Sequence, residues 1–156
     1  MKLQLIKAGI NDAKEIHAMQ IVSFSKLLAK YSDFETNPGA ETIDRIINRL
    51  EQSITDYYFI NMDDIHVGAI RIVRLKNGKV CRISPIFILP EYQNNKIAQN
   101  VFGIIETMYH PENGWILDTI LEEIGNCHLY EKVGYRKTGK VERINEKMQI
   151  VHYEKL

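Results

Sequence analysis

The stretch Ile86–Ile105, I-F-I-L-P-E-Y-Q-N-N-K-I-A-Q-N-V-F-G-I-I, sets the architecture of this chain. It begins as an apolar strand and breaks at Pro90 into a polar loop. It resumes with apolar residues at Ile97, Val101, Ile104, Ile105 and Met108, the spacing of one helix face. A strand that enters a helix through a polar loop makes an anion site. The first N–H groups of the helix lack internal acceptors, and the aligned peptide dipoles put partial positive charge there.

Upstream, the strand Val80–Leu89 carries Pro85, which cannot donate to a ladder and so predicts an edge or a bulge. A bulge leaves backbone groups of Ile86 to Ile88 open to a ligand. Asn77-Gly78 predicts a type I′ hairpin to the strand Ile65–Leu75. Asn61 to Asp64 is a turn after a strand Tyr57–Ile60. Ile43, Ile46, Ile47, Leu50 and Ile54 form an amphipathic helix. Lys30 to Gly39 reads as a loop. Before it, a helix capped at Asn11-Asp12 runs through Ala13, Ile16, Gln20, Phe24 and Leu27 to about Ala29. Leu3 and Leu5 alternate in a first strand. Downstream, Trp115–Ile120 is a strand, Cys127–Val133 a short helix ended by Gly134, and Tyr135–Val141 and Met148–Tyr153 two closing strands. One strand–helix–strand crossover among hairpins predicts an α/β (α+β) fold. Its mixed, mostly antiparallel central sheet has about seven strands flanked by about four helices.

A chain of 156 residues suits a single domain over 1–156. Lys+Arg and Asp+Glu number 20 each, so bulk charge offers no footprint for nucleic acid or an anionic membrane. No apolar run approaches membrane-spanning length, and the N-terminus does not read as a signal peptide. Cys81 and Cys127 suit two reduced, buried thiols in a cytoplasmic protein. His17, His66, His110 and His152 show no metal spacing, so no metal is expected.

Two motifs carry a resemblance. Gln93-Asn94-Asn95-Lys96-Ile97-Ala98, preceded by Ile88-Leu89-Pro90-Glu91-Tyr92, is similar to the pyrophosphate loop of the GNAT superfamily of acyl-CoA-dependent N-acetyltransferases. Leu129-Tyr130-Glu131-Lys132-Val133-Gly134-Tyr135 is similar to that family's L-Y-E-K-x-G-F/Y. The resemblance covers essentially the whole chain. Lys96 departs from it, standing where the family usually has its first glycine. Lysine gives up glycine's backbone freedom and adds a cation beside the phosphates.

The resemblance implies acetyl-CoA as cosubstrate. Its pyrophosphate would lie on Gln93, Asn94, Asn95, Lys96, Ile97 and Ala98, and its pantetheine arm against the backbone of Ile86 and Ile88. An N–H among Ile86, Phe87 and Ile88 would polarise the thioester carbonyl. Tyr130 matches the family's general acid, a phenol of pKa ~10, and also fits a plain core tyrosine. Asn126 fits cofactor contact and helix capping equally. The strand Val80–Leu89 has no glutamate, only Arg82 and Ser84 as polar members, so a base acting through ordered water, or no strong base, is expected. His128 does not face Tyr130 on a helix.

The acceptor wall would come from Tyr31, Asp33, Phe34 and Glu35, with Tyr58. Acidic groups there suit a cationic amine and equally suit solubility. The implied function is transfer of an acetyl group to a primary amine of a small molecule, by direct attack in a ternary complex. The alternatives are a protein N-terminal or lysine acetyltransferase and a non-catalytic acyl-CoA binder. Superfamily members are often dimers, so a homodimer is open; the sequence specifies no interface.

Overall fold

The computed structural model describes residues 2–156. Strands β1 (Leu3–Lys7), β2 (Thr55–Met62), β3 (Ile65–Leu75) and β4 (Val80–Ile88) run antiparallel in succession. β5 (Trp115–Ile120) joins β4 in parallel, and β6 (Arg136–Arg143) and β7 (Gln149–Lys155) close the sheet in the order β1-β2-β3-β4-β5-β7-β6. The helices are α1 (Ala13–Tyr31), α2 (Ile43–Glu51), α3 (Ile97–Met108) and α4 (Ile124–Lys132). This is the expected mixed, mostly antiparallel sheet with four helices.

Several boundaries move for local reasons. α1 continues through Lys30 and Tyr31, both expected in a loop. Ser32 stops it by turning left-handed at φ 55, with its N–H on the Leu28 carbonyl. α2 ends at Glu51, and Ile54, expected on its apolar face, lies beyond it and is 44% exposed. A two-residue hairpin occurs at Asp63-Asp64, both at positive φ, between partners Met62 and Ile65. At Asn77-Gly78 the loop has four residues instead, because Lys76 is left-handed as well and Leu75 pairs with Val80.

Alternation along the strands divides the core between the two faces. Ile60, Ile70, Ile72, Ile83, Ile88 and Leu117 pack with Ile97, Val101, Phe102 and Ile105 of α3 and with Cys127 and Tyr130 of α4. Tyr57, Phe59, Ala69 and Phe87 pack with Ile16 and Met19 of α1 and Ile46 of α2. Along β3 Ala69 faces the second cluster and Ile70 and Ile72 the first, while Val67 also joins the first because the β2–β3 register shifts at Ile60/Asn61. Both cysteines are free and buried. Among the described residues no helix is long and apolar enough to cross a membrane.

Candidate active site

The site starts at a defect in the sheet. Ile70 pairs with Ile86 and Ile72 with Ile83, so Ser84 and Pro85 together oppose Arg71. This is the bulge that Pro85 predicts, and it changes the parity of β4. Cys81 and Ile83 face α3 before it; Ile86 and Ile88 face α3 after it. On its other edge β4 meets β5 at only two pairs, Cys81 with Trp115 and Arg82 with Ile116. Beyond Arg82 the two parallel strands separate, and β5 continues paired only to β7. About 20 Å of strand edge is therefore open, from Ile83 to Ile88.

Ladder alternation says which groups use that edge. The Leu89 N–H donates to the Val67 carbonyl (2.8 Å). Leu89 and Phe87 therefore turn their backbone groups to β3, while Ile86 and Ile88 turn theirs to the gap. Gln93 bears this out: its side-chain amide donates to the Ile88 carbonyl (2.9 Å). Phe87, expected to share the edge, presents its backbone to β3 and its ring to α1 and α2. Gly68 permits the close pairing here, since a Cβ on it would stand 2.1 Å from the Phe87 carbonyl oxygen.

The loop after β4 delivers the chain to α3 through two left-handed residues, Asn94 (φ 67) and Lys96 (φ 59). Lys96 therefore holds the conformation for which the family uses glycine, at a cost glycine avoids. No side chain caps the start of α3, and its first turn carries no acidic residue. The leading N–H groups from Ile97 onward thus have no side-chain acceptor, and Gln93, Asn94, Asn95 and Lys96 beside them are exposed. An anion such as a pyrophosphate fits these donors, and an extended amide arm fits the edge of β4.

Tyr130 lies on α4 against the same core. Its ring meets Phe102 of α3 at 5.8 Å, Tyr135 at 6.4 Å and Tyr153 at 6.1 Å. The L-Y-E-K-x-G-Y motif holds it there by a helix stop. Gly134 (φ 102) bends the chain so that the Tyr135 N–H returns to the Tyr130 carbonyl (2.9 Å). The Tyr130 hydroxyl has no hydrogen-bond partner among the described residues, and it is not one of the sealed, orphaned oxygens. Burial, with a lesser effect of Cys127, pushes the phenol up to about 12, so it stays protonated at physiological pH.

α4 begins at Ile124, earlier than expected, with Glu123 at its cap position. Asn126 thus sits inside the first turn and does not cap the helix. Its side chain has no partner among the described residues.

The expected acceptor wall is only partly assembled. Tyr31 is buried, and its hydroxyl donates to Glu123 (2.5 Å), which also receives Lys30 (2.8 Å). This ties the end of α1 to the start of α4. Asp33 is buried and serves its own loop, accepting from the N–H groups of Glu35 (3.1 Å) and Thr36 (3.0 Å) and from the Thr36 hydroxyl. Phe34 is 70% exposed. Tyr58 faces α3, bonded to the Tyr109 hydroxyl (2.7 Å), and so lies on the wrong side of the sheet for that wall. Glu123 and Arg71 are the groups that sequence reasoning passed over. Arg71 had a signal, a lone charge within the apolar run Val67–Val73.

Comparisons with known proteins bear on the fold and the family. No curated protein matches in sequence. Among solved structures, a spermidine N-acetyltransferase chimera from Vibrio cholerae and hSSAT superposes with a TM-score of 0.76 at 17% identity, covering 100% of this chain and 96% of that one. The Salmonella typhimurium acetyltransferase that modifies the N-terminal serine of ribosomal protein L7/L12 gives 0.77 at 12%, over 100% and 95%. A PaiA N-acetyltransferase from Thermoplasma acidophilum, in complex with coenzyme A, gives 0.70 at 16%, over 97% and 98%. Identities this low speak for the fold alone. The sequence model of the acetyltransferase (GNAT) domain matches residues 28–156. That match runs from the last turn of α1 to the final residue and takes in every element of the site, so the chain belongs to the GNAT acetyltransferase family.

Proposed function

We propose that this protein moves an acetyl group from acetyl-CoA to a primary amine of a small molecule, by direct attack in a ternary complex. The observation that carries the reading is the open edge of β4 between the uncapped start of α3 and the unpartnered hydroxyl of Tyr130. Acetyl-CoA would supply an acyl thioester, an activated carbonyl. Ile86 and Ile88 offer backbone groups to its amide arm, with Gln93 already fastened to the Ile88 carbonyl. Asn94 to Ala98 offer N–H groups to the pyrophosphate, Lys96 adds a cation, and Asn126 is free to contact the arm. The neutral acceptor amine displaces the sulfur at the acyl carbon. Tyr130 donates its proton to the departing sulfur and regains one from solvent, and the surplus amine proton passes to water. Holding both reactants together does most of the work. Two buried thiols suit a cytoplasmic setting.

Thermal stabilisation by acetyl-CoA tests the binding half. About 2.7 kcal/mol is expected at ~100 times Kd, and no shift would refute it. Release of free thiol with an amine panel tests turnover. Tyr130→Phe leaves no buried group orphaned and should fold. It should lower kcat by about 100-fold while keeping the stabilisation by acetyl-CoA. Undiminished turnover where chemistry limits the rate would remove Tyr130 from the mechanism.

A further inference from the structure

Arg71 lies mid-strand in β3, 9% exposed, on the face covered by α1 and α2. Its Nη1 donates to the Ser84 carbonyl at the bulge (2.8 Å), and its Nε is buried without a partner. Among the described residues no carboxylate pairs with it. Glu41, the acid nearby, is taken by both guanidinium nitrogens of Arg49 (2.8 Å each) and by the Gln20 amide (2.7 Å). Arg82 beyond is paired with Asp118 (2.7 Å). Arg49 and Arg71 against Glu41 leave one positive charge buried and unmatched, a costly arrangement unless an anion answers it. Burial, then repulsion from Arg49, pushes the Arg71 guanidinium down to about 10, so it remains charged at neutral pH.

Two more orphans stand in the same cluster. Tyr57, the cross-strand partner of Arg71, is 1% exposed with its hydroxyl unpaired, and the Gln20 Oε1 is sealed and unpaired. The unpaired atoms are thus two donors, Arg71 Nε and Tyr57 OH, and one acceptor, Gln20 Oε1, all three closed to solvent. The cluster also has a definite place. Ser84 is two residues from Ile86, whose backbone opens on the gap. The cofactor groups collect on the α3 and α4 face, and this cluster lies at the same bulge on the opposite face.

We infer that the acceptor is an amine that also bears a carboxylate, read by Arg71 and Tyr57 with Gln20 on the α1 and α2 face of the bulge. This rests on the acetyltransferase reading and narrows it to amino acids and related zwitterions, away from polyamines. A carboxylate supplies the missing counter-ion, and an N–H supplies the donor that Gln20 lacks.

The test compares α- and ω-amino acids, each with the amine left on removing its carboxylate, and with diamines of equal length. It uses two readouts. One is kcat/KM from free-thiol release; the other is thermal stabilisation in the presence of coenzyme A, which needs no turnover. The carboxylated member should be favoured by about tenfold or more, the effect of one charge-assisted hydrogen bond. Arg71→Met should bring the ratio close to one, and Tyr57→Phe should lower it. The inference is overturned if uncharged amines or diamines do as well as the amino acids, or if Arg71→Met retains the preference. A general loss across all amines in Arg71→Met, with the ratio intact, would make Arg71 only a prop for the bulge and overturn it too. If acetyl-CoA neither stabilises the protein nor supports release of thiol, the acetyltransferase reading fails instead.

Discussion

Asp56, on the α3 face of β2, is buried with three donors: Lys7 (2.5 Å), the Tyr109 hydroxyl (2.6 Å) and Arg74. Arg71, across the sheet on β3, is buried with one acceptor and an idle Nε. The same sheet thus holds a saturated charge on one face and an unsaturated one on the other. The saturated group pins β1, β2, β3 and the end of α3 together, where buried aromatics also pack edge to face. The unsaturated group sits at the bulge, where α1 and α2 cover the strands. A buried charge with all its partners in the chain serves stability; one without them is costly to keep, which is the reason a carboxylate ligand is inferred at Arg71.

The largest effect should come from the packed face. Phe102 is 1% exposed and touches both Tyr130 and Tyr135, so Phe102→Ala should cost about 3–5 kcal/mol by urea denaturation. A loss below ~1 kcal/mol would mean that this face is not the rigid one.

The next effect separates the two charges. Burial opposes ionisation of Asp56, but Arg74, Lys7 and Tyr109 overcome it and hold its pKa at about 2, below the ordinary 3.8. A depressed carboxylate contributes stability that is complete above its unfolded pKa and fades as pH falls through the folded value. About 2 kcal/mol should therefore disappear between roughly pH 4 and 2, and Asp56→Asn should flatten that dependence. Arg71→Met, measured without ligand at neutral pH, should cost less than about 1 kcal/mol or even stabilise, since it removes an unpaired buried charge. If Arg71→Met costs more than Asp56→Asn, the contrast between the faces collapses.

The smallest effect is at Lys96. Its φ of 59 carries a penalty that glycine escapes, offset by glycine's looser unfolded chain. Lys96→Gly should gain about 0.5–1 kcal/mol, read from the denaturation midpoint. A loss would show that lysine is held there by contacts of its own.

Much of the backbone geometry around β4 and α4 is legible in the chain. Pro85 announced the bulge because a residue without N–H cannot sit inside a regular ladder. Gly134 announced the end of α4 because its left-handed turn closes the helix around Tyr130. The surroundings of the residues expected to form an acceptor wall are not. The composition of Lys30 to Gly39 places Tyr31 in a loop, although the helix carries it inward to Glu123. Asp33 looked available, but its own loop consumes its carboxylate. Tyr58 and Tyr57 are sequence neighbours, and strand alternation sends them to opposite faces.

What the sequence determined by itself was therefore the order of elements, the strand-to-helix loop at Gln93 to Ala98 and the glycine-terminated helix of the tyrosine motif. Each depends on residues within one turn or one hairpin of each other, so short-range sterics and hydrogen bonding suffice. Only the tertiary structure decided that β4 and β5 part after Arg82, and that Glu41 spends its charge on Arg49 and leaves Arg71 unanswered. Those outcomes depend on which distant groups are brought together in the low-dielectric interior, where the number of partners decides what a charge can do.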